Sequence, residues 1–241
     1  MKEEGKISWK ARLEYPLAFV WLIAMSLGGF FLPSSLNTIP LFKIKVIEVV
    51  GTQTVSPELI SSACYQTAKG NWLFLSSDRL LAEINNLTKN SVEQVKIKRD
   101  LGLDGAKIYV EVQERIPIAS VVHDTNILLI DHKGEFFYNP AIESPLPVVY
   151  TFSFDYIKKH FPNLKAFIDF VKEIDPKIKE IYVTDRSTIV YISSNKIVLP
   201  PISKLDLSMF DRIRKVYNKL EMKSTNVLMI SESMAIIKEG E

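Results

Sequence analysis

The chain has 241 residues, a formal net charge of +2, 47% hydrophobic and 24% charged residues, and a single cysteine. A balance this close to neutrality gives no support to a nucleic-acid partner held on a basic face, and one cysteine excludes an intrachain disulfide. Apolar burial must therefore hold the folded part together, and about 200 residues suffice for that.

Between Glu14 and Lys43 lie 28 consecutive residues without a charge. Their apolar centre runs from Leu17 to Leu32 and stops at Pro33. A helix over residues 15–36 is long enough to cross a hydrocarbon core of roughly 30 Å. Lys2, Lys6, Lys10 and Arg12 precede it, whereas Lys43 and Lys45 follow. That excess predicts a cytoplasmic tail over 1–14, an anchor over 15–36 and everything later on the extracytoplasmic side. A cleavable signal peptide would need a shorter apolar region and a small-x-small site; Gly28-Gly29 and Ser34-Ser35 leave that alternative open.

Residues 42–116 read as one folded unit. Phe42 to Val50 alternates as a strand and Gly51 ends it. Ser56-Pro57-Glu58 is a helix start, with a hydroxyl cap, Pro at the first position and a carboxylate at the positive end of the dipole. Leu59, Ile60, Ala63, Cys64 and Thr67 follow at helical spacing until Gly70. Cys64, among apolar neighbours, reads as a buried small hydrophobe. After the short connection Asn71 to Leu75, Ser77 can cap a second helix bearing Leu80, Leu81, Ile84 and Leu87. Two strands close the unit, Val92 to Arg99 and Lys107 to Arg115. In the second, Ile108, Val110 and Val112 alternate with Tyr109, Glu111 and Gln113, so one face is buried.

The order strand, helix, helix, strand, strand, with Val50-Gly51, Ser56-Pro57, Asn71-Trp72-Leu73-Phe74 and Glu114-Arg115-Ile116-Pro117, resembles a POTRA (polypeptide-transport-associated) domain. Behind a single N-terminal membrane helix, this resembles the FtsQ/DivIB group of bacterial cell-division proteins. The next meander is similar to the same family. Pro117 to Val122 and Ile127 to Ile130 are strands, and Asp131-His-Lys-Gly134 turns into Glu135 to Tyr138.

Residues 117–241 form the expected second domain. After Pro140, Pro145 and Pro147 comes a helical stretch with the stripe Leu164, Phe167, Ile168, Val171 and Ile174. Strands follow at 180–184, 188–193 and 196–199. A further amphipathic helix carries Phe210, Ile213, Val216, Tyr217 and Leu220. One long closing strand is expected from Asn226 to Ile237. The predicted fold class is α+β: a transmembrane helix, a β-α-α-β-β POTRA domain, then a mainly antiparallel β domain with flanking helices.

No motif for a serine nucleophile or a phosphate loop is present. His123 and Asp131 could approach across a hairpin, but two ligands do not close a metal site. Glu111 and Glu114 read as an exposed charged edge, and Glu114-Arg115 as a solvated strand end. The sequence therefore predicts no catalytic, cofactor or metal site, no nucleic-acid partner and no small-molecule substrate.

The resemblance implies a non-enzymatic divisome scaffold in the cell inner membrane, single-pass with its N-terminus cytoplasmic, at the division site. Its implied partners are FtsB- and FtsL-like single-pass division proteins, captured by strand addition at the last strand. By position this implicates Ser231, Glu232 and Ser233. The family pattern Asp-x-Arg is replaced there by Leu228-Met229-Ile230. From the residues alone, Val227 to Ile237 could be an open edge or a buried strand. Two other functions stay open: a POTRA-containing component of an envelope transport or assembly system, and a membrane-anchored envelope enzyme with an unrecognised site.

Overall fold

The computed structural model describes residues 18–26, 28–29, 38–142, 146–174, 180–192, 195–219, 226–231 and 234–239. By contacts the chain divides into two compact units. The first comprises 1–52, 56–83 and 95–112, and the second 53–55, 84–94 and 113–241. The chain is α+β, a β-α-α-β-β, POTRA-like portion followed by a mixed sheet with helices. Of the expected anchor, residues 18–26 and 28–29 are described and helical. Among the described residues no helix is long and apolar enough to cross a membrane.

The first portion consists of β1 (Ile44–Val50), α1 (Pro57–Ala68), α2 (Ser77–Thr88), β2 (Val92–Gly102) and β3 (Gly105–Glu114). Its sheet has the order β1-β3-β2, with β1 parallel to β3. Helix α1 starts as the sequence predicts, the Ser56 side chain accepting from Leu59 N–H. It ends at Lys69 in the left-handed region. Helix α2 is capped one residue earlier than expected, because Ser76 rather than Ser77 accepts from Arg79 N–H. Ile60, Ala63 and Cys64 of α1 and Ile108 and Val110 of β3 are all buried in the first unit. Each fully buried aliphatic side chain contributes about 1.5–3 kcal/mol. Gly51 is dictated by geometry: at φ +90°, a Cβ there would lie 2.3 Å from the Val112 carbonyl oxygen.

The nine-stranded sheet has the order β12-β11-β10-β9-β8-β7-β4-β5-β6. Its strands are β4 (Pro117–His123), β5 (Asn126–Asp131), β6 (Phe136–Phe137), β7 (Val148–Thr151), β8 (Glu180–Val183), β9 (Thr188–Ile192), β10 (Asn195–Leu199), β11 (Asn226–Ile230) and β12 (Ala235–Glu239). Helices α3 (Phe154–Lys159), α4 (Phe161–Ile174) and α5 (Leu207–Lys219), with Ile202 and Leu205 ahead of α5, supply the rest of its core. Alternate residues of the strands, among them Val121, Val149, Ile181 and Ile197, meet Leu164, Phe167, Ile168 and Phe210. Phe170 and Phe210 stack at 4.9 Å between α4 and α5.

Two expectations change. The stretch after Pro147 contains a strand, β7, which was not anticipated. It pairs parallel with both β4 and β8, and β10 pairs parallel with β11, so the sheet is mixed. The single closing strand is instead a hairpin, β11 pairing antiparallel with β12. Ser231 makes the break: its Oγ accepts from Met234 N–H at 3.1 Å, and its N–H donates to the Met234 carbonyl at 2.8 Å.

Candidate functional site

The charged side chains at the end of β3, expected to be solvated, are held by partners. Arg115 and Asp131 form a buried ion pair at 2.6 Å, with side chains only 11% and 0% exposed. Arg115 also donates through Nε to the Asn90 carbonyl. Asp131 additionally accepts from Lys133 N–H and Glu135 N–H. Burial pushes the Asp131 carboxyl up, but the Glu135 N–H, the Arg115 guanidinium and the Lys133 N–H outweigh it and hold it below its ordinary value.

Glu114 is no exposed edge group, since β3 is the central strand of its sheet. Its carboxylate gathers the N–H groups of Gln53, Thr54 and Val55 at 2.7–2.9 Å. Burial raises its pKa; the Thr54 hydroxyl and these N–H groups lower it further than burial raises it. The solvated strand end read from Glu114-Arg115 is therefore corrected. Both side chains are tied to partners distant in sequence.

His123 and Asp131 do not meet. The β4–β5 register sets His123 opposite Asn126 and Asp131 opposite Pro117, at the two ends of the pair. The His123 ring instead lies edge-on to Phe154. Among the described residues, no group of three or more His, Cys, Asp or Glu could hold a metal. Cys64 is buried as expected, and burial pushes its thiol up to about 11.

One feature among the described residues that could take part in recognition is a strand edge. β11 lies between β10 and β12, and β12 ends the sheet order. Residues opposite one another in an antiparallel pair alternate between exchanging hydrogen bonds and pointing their N–H and C=O away. The Ser231–Met234 bond fixes the phase. With Ile230 opposite Ala235, Met229 opposite Ile236 and Leu228 opposite Ile237, Ile236 and Lys238 face inward to β11. The backbone groups of Ala235, Ile237 and Glu239 face away from β11, on a side where no strand pairs among the described residues.

The edge has an apolar approach. Met234 and Ile236 are 61% and 53% exposed. In register, Ile236 aligns through Met229 with Val198, Ile189, Tyr182 and Tyr150, one residue per strand. Tyr150 and Tyr182 stack at 4.7 Å.

Of the three implied partner residues, Ser231 lies just beyond β11, and its carbonyl accepts from Arg212 of α5 at 3.0 Å. Glu232 and Ser233 lie outside the described residues. Ala235, Met234 and Arg212 were missed. The polar break Ser231-Glu232-Ser233 in the sequence was the available signal for a separate strand. No protein-family model matches this chain, and no curated protein matches it.

Proposed function

We propose that the protein is a non-enzymatic, membrane-anchored scaffold of the FtsQ/DivIB type, its first portion a POTRA domain. It acts in bacterial cell division, at the division site of the inner membrane, with its N-terminus cytoplasmic and its folded units outside. FtsB- and FtsL-like single-pass proteins are its partners. The observation that carries this reading is the open side of β12, whose ladder groups can receive an incoming strand.

The anchor gains support from residues 18–26, where Phe19, Val20, Trp21, Leu22 and Met25 are all exposed helical side chains. Apolar side chains exposed in such a run call for an apolar surround, and lipid supplies one. Tethering then raises the effective concentration of partners held in the same membrane.

The test uses the outward-facing N–H of Ile237. Ile237→Pro removes that donor while leaving the inward ladder to β11 intact, and Ile237→Ala truncates the side chain but keeps the donor. Capture of an FtsB-like partner by the full chain is expected to be lost in the proline variant and kept in the alanine variant, with equal thermal unfolding. Full binding by a folded Ile237→Pro protein would refute strand addition at β12.

A further inference from the structure

We infer that the end of the first unit where the chain leads into β1 is a lipid-contact surface, with the β2–β3 turn seated in the bilayer interface beside the anchor. The inference rests on the membrane anchoring proposed above. Three segments meet at this end. The Lys43 carbonyl accepts from Ala106 N–H at 2.9 Å, and Lys45 pairs with Asp104, which brings the β2–β3 turn against the start of β1. Trp72 Nε1 donates to the Leu41 carbonyl at 3.0 Å, and Lys43 bridges to Asn71, which adds the single helical turn Trp72–Phe74.

Each segment exposes aliphatic side chains: Ile39 and Leu41 from the first, Leu73 from the second, Leu101 and Leu103 from the third. Single exposed apolar residues are ordinary, but a convergent group is not. Leu103 is the sharpest case. It is 95% exposed and occupies the two-residue turn Leu103-Asp104. Such turns are served best by Asn, Asp or Gly, so neither turn chemistry nor packing accounts for a leucine there.

Chain length places lipid within reach. The proposed anchor ends at Leu36, and Ile39 lies three residues on, at most about 11 Å away when fully extended. The surface that carries these leucines is thus held next to the membrane by the chain itself. Charge does not compete as an explanation. Lys43, Lys45 and Arg99 are nearly balanced by Asp100 and Asp104, so apolar insertion at the depth of the headgroup boundary, rather than attraction to anionic lipid, is the source of the contact.

The experiment uses the full chain reconstituted in phosphatidylcholine vesicles, with one environment-sensitive fluorophore on a new cysteine and nitroxide-labelled lipids as quenchers. Cys64 is fully buried and leaves labelling to the new site. Labels at Leu103→Cys and Phe19→Cys are expected to be quenched, whereas one at Val50→Cys, at the far end of β1, is not. Added anionic lipid is expected to change none of these. Quenching at position 19 but not at 103 overturns the lipid contact and leaves the anchor standing. Absence of quenching at 19 overturns the anchor and the contact with it. In the Leu101→Glu/Leu103→Glu variant, a label at Leu73→Cys should lose its quenching; unchanged quenching there would show that the turn leucines do not hold the surface to the bilayer.

Discussion

Asp131 carries a full charge in a place water does not reach, and its oxygens are satisfied by one guanidinium and two backbone N–H groups. Removing it strands the Arg115 charge. Asp131→Ala is expected to cost about 3–5 kcal/mol in urea unfolding. The acid response follows from the same geometry. The folded pKa values of Asp131 and Glu114 lie below their ordinary values of 3.8 and 4.5. Their contribution is therefore complete above those ordinary values and is lost as pH falls through the depressed folded ones. Stability should drop below about pH 4, and less steeply in Asp131→Asn. Sequence could not show this: Glu114-Arg115 looks like any charged strand end. Its significance comes from Thr54 and Asp131, which only the fold brings near.

Among the elements, those with local signatures were legible. Helix α1 announced itself by Ser56-Pro57 and its apolar spacing, and β3 by strict alternation. β7 was not legible, since its four residues follow a proline-rich stretch and its partners β4 and β8 lie far away in sequence. The hairpin β11–β12 was hidden for a different reason. Val227 to Ile237 is β-competent throughout, and only the polar break after Ile230 marks two strands. The unforeseen β7–β8 pairing can be checked by a double-mutant cycle on Tyr150 and Tyr182. They sit directly opposite each other and stack. Alanine at both positions should reveal a coupling of about 0.5–1.5 kcal/mol by denaturant unfolding, and a coupling near zero would argue against the parallel register.

For the whole molecule, an apolar N-terminal run and a separate globular part were legible in the chain. Composition pointed to an apolar N-terminal run ahead of well-patterned globular sequence, and α+β organisation followed from the periodicities. The mixed character of the large sheet did not follow, because parallel pairing joins segments that carry no mutual mark in the chain. The proposed tether has its own test. Removing residues 1–37 is expected to move the protein from carbonate-washed membranes to the soluble fraction, and a truncated protein still in the membrane pellet would show another means of attachment.

The parallel docking of β11 on β10 also sets an order of events during folding. A hairpin such as β11–β12 closes in about 1–10 μs on its own. It can join the sheet only after the crossover through α5 has been laid down, a non-local step and hence a slow one. Arg212, reaching from α5 to the Ser231 carbonyl, couples the two. In this topology β12 becomes the end of the sheet only after β10, α5 and β11 are in place.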